Sequence, residues 1–172
     1  DTMKLKTYMI IHVGSNAFGK EKSITRFINN FNKLDKEIKK MIILENDDKI
    51  FNIKDVLYIC KKINIPMVLD YHHHKCNNDN INLEEYIEEI FNTWNRTPKV
   101  HLSSSKSKKE YRSHNDYINI EDFIEFQTII KKINKDIDIM IEAKEKDNAL
   151  FKLTRELKYI GYKFIDDTTI IL

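Results

Sequence analysis

Cysteines, long apolar segments and an excess of either charge are all scarce in this sequence of 172 residues. Cys60 and Cys76 are its two cysteines, too few for a disulfide framework, so a reduced, intracellular protein is the expectation. No apolar run reaches the length that spans a membrane and no signal peptide is visible, which argues against a membrane or secreted protein. Lys and Arg number 29 against 27 Asp and Glu, so the net charge of +2 argues neither for nor against a nucleic-acid partner.

Short apolar runs alternate with segments of helical periodicity five times along the chain. The five runs, each predicted to be a strand, are residues 8–13, 41–44, 65–69, 99–102 and 137–141. An amphipathic helix is predicted after each of them, with Asn52 and Asn82 as N-caps and Gly161 as the residue that closes the last helix. The tail from Tyr162 is expected to add one more strand.

This alternation indicates βαβ units and a parallel sheet, and nearly continuous apolar strands fit a sheet that is buried on both faces. A complete (β/α)₈ barrel has eight such units and typically about 250 residues. The sequence therefore predicts an α/β fold that is either a five-stranded open sheet or most of a barrel.

A histidine or a carboxylate stands at the end of every predicted strand. In chain order these residues are His12; Glu45; Asp70, followed by His72, His73 and His74; His101, with His114 in the loop beyond; and Glu142. The carboxyl ends of parallel strands converge, and carboxylates and imidazoles at close range repel or desolvate one another unless a cation lies between them. Mixed nitrogen and oxygen ligands suit Mn²⁺, Zn²⁺, Fe²⁺ or Mg²⁺, and such sites can clamp an in-line displacement at phosphorus.

Each of these residues has an ordinary structural interpretation when taken alone. A single histidine on a strand is usually a core residue, Glu45 could cap a helix, and a lone Cys76 is usually inert. The histidine run is itself a weak signal, because some of the three must point to solvent. Residues 103–109, SSSKSKK, fit a solvated loop, with binding of backbone phosphates as the functional alternative. The pattern at all five strand ends is what favours a metal site.

Six motifs occur in order along the chain: IIHVGSNAFGK, LENDDKIF, IPMVLDYHHH, KVHLSS, SHNDYI and IMIEAKEKDNAL. Together they resemble the UV damage endonuclease family, DNA repair enzymes with a (β/α)₈ barrel. The resemblance implies that residues 1–172 are the C-terminal portion of a single barrel catalytic domain, with about the last five strand–helix units. One departure is Ser15, where the family tends to have a second glycine after Gly14.

The resemblance also implies a set of site residues. The metal ligands would be His12, Glu45, Asp70, His73, His101, His114 and Glu142. Among the three adjacent histidines the family pattern selects His73. Glu45 and Lys99 would be catalytic, and Lys99 matches a family lysine two residues before the ligand His101; its structural alternative is an exposed lysine at a strand start.

The implied activity is metal-dependent hydrolysis of one phosphodiester bond immediately 5′ of a UV photolesion in double-stranded DNA. Two or three divalent ions are expected, with Mn²⁺ preferred and Mg²⁺, Zn²⁺ or Co²⁺ as alternatives, and no nucleotide cofactor or membrane is expected. The full-length protein would be a monomer, either cytoplasmic (prokaryotic or viral) or nuclear. The chain alone is expected to be weak or inactive, because the family's first three units are absent from it.

Two alternatives remain open. One is a sugar isomerase-like barrel, which also uses Mn²⁺ or Mg²⁺ but relies more on carboxylates than this chain, with at least four candidate imidazoles, does. The other is an inactive metal-binding fragment.

Overall fold

The computed structural model describes residues 8–172. The chain divides into two compact units, one ending at Pro98 and the other running from Lys99 to Leu172. Between residues 8 and 172, no helix has both the length and the apolar character needed to cross a bilayer.

The first unit contains a parallel sheet whose three strands alternate with helices. Its elements are β1 (Met9–Ile11), α1 (Lys20–Asn32), α2 (Lys36–Lys39), β2 (Ile42–Glu45), α3 (Ile53–Ile63), β3 (Met67–Asp70), α4 (Tyr71–Cys76), a 3₁₀ helix (Leu83–Glu85) and α5 (Ile87–Phe91). Strand β2 pairs in parallel with β1, where Ile11 lies opposite Leu44, and with β3, where Glu45 lies opposite Val68. The prediction of parallel strands is therefore confirmed in this unit.

Strands β2 and β3 are buried along their whole length. Ile43, Leu44, Val68 and Leu69 expose none of their surface, which fits a parallel sheet covered on both faces. Asn52 caps α3 as predicted: its side-chain oxygen accepts hydrogen bonds from two backbone N–H groups in the first turn, and Asp55 completes a capping box. These contacts fix where α3 begins.

The second unit begins with two parallel strands. Its elements are β4 (Lys99–Leu102), α6 (Ile120–Ile130), a 3₁₀ helix (Lys131–Ile133), β5 (Asp138–Ile141), α7 (Asp147–Tyr159), β6 (Lys163–Phe164) and β7 (Ile170–Ile171). Strands β4 and β5 pair in parallel over four residues, from Lys99 opposite Asp138 to Leu102 opposite Ile141. Gly161 follows α7 with a φ of 97°, the left-handed conformation expected of the residue that closes a helix.

Two regions differ from the sequence prediction. The single helix predicted after residues 65–69 is replaced by three short segments, α4, a 3₁₀ helix and α5. Helix α5 ends at Phe91, and Thr93 and Trp94 then contact β3: the Met67 backbone N–H donates to Thr93 Oγ1 and Trp94 Nε1 donates to the Met67 carbonyl. The tail forms an antiparallel hairpin, β6–β7, in place of one strand. Asp166 accepts hydrogen bonds from the backbone N–H groups of Thr168 and Thr169 and so closes the turn, which also lowers the pKa of its carboxyl.

Candidate metal-binding groups at the strand ends

The first unit places four of the seven predicted ligands at one edge of its sheet. We call His12, Glu45, Asp70 and His73 the first group. His12 follows β1, Glu45 ends β2 and Asp70 ends β3, while His73 lies in α4, the helix that begins directly after Asp70. Because the three strands are parallel neighbours, their carboxyl ends lie at the same edge of the sheet.

Side chains of the first group contact one another across the strands. His12 Nε2 lies 3.5 Å from Glu45 Oε2, and His12 Nδ1 lies 3.3 Å from the Glu45 carbonyl oxygen. A carboxylate oxygen of Glu45 lies within 4.8 Å of one of Asp70. The ring centroids of His12 and His73 are 5.6 Å apart. The structure therefore brings together all four predicted ligands of this unit.

Asn46 positions Asp70 and His73, and the sequence analysis did not identify it. Its side chain forms two hydrogen bonds with the backbone of Asp70, donating to the carbonyl at 2.9 Å and accepting from the N–H at 3.0 Å. The Asn46 carbonyl lies 3.0 Å from His73 Nδ1. A neutral imidazole that donates from Nδ1 to a carbonyl has its lone pair on Nε2, the arrangement typical of a metal ligand. The sequence feature that could have identified Asn46 is its position directly after Glu45, in the motif LENDDK.

The three adjacent histidines lie on the short helix α4 and none of them is exposed. His72 is 2% exposed and His74 is 6% exposed, so the expectation that some of the three point to solvent is wrong. Burial lowers the pKa of His74. His72 Nε2 lies 3.8 Å from Cys76 Sγ, whereas His73 contacts Asp70 and Asn46.

The second unit brings together the other three predicted ligands. We call His101, His114 and Glu142 the second group. His101 Nδ1 lies 3.2 Å from Glu142 Oε1, and His114 Nδ1 lies 3.7 Å from Glu142 Oε2. Glu142 directly follows β5, and its backbone N–H donates to the Leu102 carbonyl at 2.9 Å, so the ladder of β4 and β5 holds it beside His101. One carboxylate thus faces two imidazoles.

Lys99, the second residue predicted to be catalytic, forms an ion pair with an aspartate on the neighbouring strand. It is the first residue of β4, and its ammonium group lies 2.7 Å from Asp138 Oδ2 at the first position of β5. Both side chains are partly exposed to solvent. The sequence could not show this ion pair, since it depends on the register of two strands 39 residues apart. The catalytic role of Lys99 stays a prediction.

The donor set of the first group fits a divalent metal ion. Glu45 is 5% exposed and Asp70 is fully buried, and two buried carboxylates at this separation are costly unless a proton or a cation lies with them. Imidazole nitrogens from His12 and His73 complete a set of nitrogen and oxygen donors without a thiolate. This chemistry suits Mn²⁺, Mg²⁺, Fe²⁺ or Zn²⁺.

The chain is an α/β protein in which parallel strands alternate with helices and carry acids and imidazoles at their carboxyl ends. In enzymes with this architecture the active site lies at those strand ends. A solved structure, SacUVDE, matches 90% of this chain at 35% identity with a TM-score of 0.78, and the match covers 52% of that structure. The chain therefore has a parallel α/β fold of the TIM-like barrel type, with five strand–helix units.

The family follows from the sequence comparisons. A family model described as UV-endonuclease UvdE matches residues 1–169. The UV DNA damage endonuclease of Bacillus cereus (strain 03BB102) is 48% identical over 168 residues, covering 95% of this chain and 53% of that protein. The protein of that name from Bacillus anthracis has the same identity and coverage. The chain belongs to the UV-endonuclease UvdE family and spans about half the length of the curated relatives it matches.

Proposed function

We propose that the protein is a metal-dependent DNA repair endonuclease that hydrolyses a phosphodiester bond immediately 5′ of a UV photolesion in double-stranded DNA. The family match over residues 1–169 carries this proposal. It supports the endonuclease over the sugar isomerase-like alternative, since the relatives reported above are UV DNA damage endonucleases. DNA is the proposed partner, with no nucleotide cofactor, and the complete protein is proposed to be a monomer.

The proposed metal ligands are the four residues of the first group and the three of the second. Glu45 and Asp70 supply the buried negative charge that would hold a divalent cation, with Glu45 also the proposed bridge between ions. Mn²⁺ is the proposed ion, because it accepts carboxylate and imidazole ligands together. When bound, such an ion polarises a phosphoryl oxygen and activates water for attack at phosphorus.

The chain's own residues would hold these ligands in place before any substrate arrives. Asn46 fixes the backbone of Asp70 and accepts from His73, and the β4–β5 ladder holds Glu142 beside His101. Such supporting contacts typically change metal affinity or activity about 10- to 100-fold when they are removed. Lys99 stays in the proposal as a catalytic cation, and its pair with Asp138 would have to open before it could contact a substrate phosphate.

The proposal is tested by nicking of UV-irradiated supercoiled plasmid with the complete protein. We expect nicking with Mn²⁺, none in excess EDTA, and recovery when Mn²⁺ is restored. Unirradiated plasmid is the matched control for lesion dependence. Undiminished nicking in EDTA would contradict the metal dependence, and equal nicking of both plasmids would contradict the lesion specificity.

The proposed place of action is inside the cell, where its DNA substrate is found. The relatives reported above come from bacteria, which gives no support to the nuclear alternative. The alternative of an inactive fragment concerns this chain by itself. It is tested by comparing the nicking rate of residues 1–172 with that of the complete protein at equal metal concentration.

A further inference from the structure

An exposed arm projects from the strand end that carries the second group. We call residues 106–113 the arm. Its base is a short antiparallel ladder: Ser105 bridges to His114, the Lys106 N–H donates to the Ser113 carbonyl at 2.8 Å, and the Asn115 N–H donates to the Ser104 carbonyl at 2.9 Å. The arm therefore leaves the fold just after β4 and returns at His114.

The base of the arm is tied to the rest of the second unit. Ser104 is 1% exposed, and its Oγ accepts a hydrogen bond from the backbone N–H of Asn119 at 2.9 Å. The Lys144 N–H donates to the Asn115 carbonyl at 3.2 Å. His114, at the returning end of the arm, lies 3.7 Å from Glu142. The arm consequently has a fixed attachment beside the proposed ligands.

The arm concentrates positive charge in a chain whose total charge is nearly balanced. Residues 106–113 are all exposed, and they include four cationic side chains, of Lys106, Lys108, Lys109 and Arg112, but only one acidic side chain, that of Glu110. Lys106 is paired with Glu110 at 2.9 Å, a contact that raises the pKa of the lysine and lowers that of the glutamate. Lys108 and Lys109 form no ion pair with any residue between 8 and 172.

We propose that Lys108 and Lys109 bind backbone phosphates of the DNA next to the bond that is cut. This rests on the proposed function. Two adjacent lysines with unneutralised charge, on an arm with a fixed base at the proposed site, match the regular negative charge of a phosphate backbone. Contacts of this kind add affinity and set the position of the duplex, and they do not read the sequence.

The experiment measures how DNA binding depends on salt, using the complete protein in EDTA to keep the duplex uncut. Each phosphate contact that is lost lowers the steepness of log K against log salt concentration by about 0.9. The Lys108→Gln/Lys109→Gln variant should therefore lose about 2 units of slope. The matched control is the Lys131→Gln/Lys132→Gln variant. These two adjacent lysines precede β5, so they lie at the end of the second unit where strands β4 and β5 start. That control should keep the slope.

A second variant separates charge from shape. Tyr111→Ala alters the arm without removing a charge, so its slope should match that of the unsubstituted protein. An unchanged slope in the Lys108→Gln/Lys109→Gln variant, or an equal loss in the Lys131→Gln/Lys132→Gln control, would overturn the proposal while the proposed function stands. Failure of the unsubstituted protein to bind or nick irradiated DNA would overturn the proposed function, and the role of the arm with it.

Discussion

Asp70 contacts His73 through both of its carboxylate oxygens. Oδ1 accepts a hydrogen bond from the His73 backbone N–H at 2.7 Å, and Oδ2 lies 3.5 Å from His73 Nδ1. The first contact makes Asp70 the N-cap of α4, so the residue proposed as a metal ligand also begins the helix that carries the next ligand. Structural and chemical roles of Asp70 can be separated because asparagine caps a helix about as well as aspartate does.

The first prediction separates the helix-capping role of Asp70 from the effect of its charge. In EDTA, Asp70→Asn should keep the free energy of unfolding of the unsubstituted protein or raise it, because it keeps the cap and removes a charge near Glu45. Asp70→Ala should be about 1 kcal/mol less stable than Asp70→Asn, the usual value of a cap. Added Mn²⁺ should stabilise only the unsubstituted protein. Urea titrations with and without Mn²⁺ measure this, and an Asp70→Asn variant less stable than Asp70→Ala in EDTA would contradict it.

The second prediction concerns Glu45. Glu45→Gln in the complete protein should lower nicking of irradiated plasmid by more than the roughly 10- to 100-fold typical of a lost supporting contact. The reason is that it removes charge from the proposed metal ligand itself. The matched control is Glu37→Gln, which changes an exposed glutamate of α2 that pairs with Lys40, and it should nick normally. Equal losses in the two variants would show that Glu45 has no special role.

The third prediction concerns stability at alkaline pH. Cys60 is fully buried in α3, and burial raises the pKa of its thiol above the ordinary value of 9.0. Above pH 9 the unfolded chain loses this proton while the folded chain retains it, so rising pH favours unfolding. Between pH 7 and pH 10 the free energy of unfolding of the unsubstituted protein should therefore fall by about 1.4 kcal/mol more than that of the Cys60→Ala variant. Urea titrations at both pH values test this, and parallel losses in the two proteins would count against it.

The parallel strands β2 and β3 were predicted well because a short, nearly continuous apolar run indicates a strand that is buried on both faces. Strands β2 and β3 both end at the acidic residue that the pattern placed there, Glu45 and Asp70. The helix α4 was missed, since six residues are too few for periodicity to show. Its start depends instead on the cap provided by Asp70.

Other features depend on long-range geometry that no local pattern contains. The sequence could place Glu45 at a strand end, but the role of Asn46 beside it arises only when β2 and β3 pair and bring Asn46 to the backbone of Asp70. The pair of Lys99 and Asp138 likewise depends on strand register. The seven predicted ligands form two groups, and within each group the side chains contact one another. Their role in metal binding stays a proposal.

The last prediction concerns residues 1–172 expressed alone. Between residues 8 and 172, β1 is paired with β2 and with no other strand, and Met9 and Ile10 on it are 40% and 36% exposed. An apolar strand with one unpaired edge can pair with another chain, so the isolated chain should self-associate as its concentration rises. Ile10→Lys should increase the monomer fraction in sedimentation velocity, because a charged edge resists pairing. The matched control is Tyr159→Lys, which places the same charge at the end of α7, where the side chain is 92% exposed, and should leave association unchanged. A chain that stays monomeric at every concentration would show that this edge is already protected.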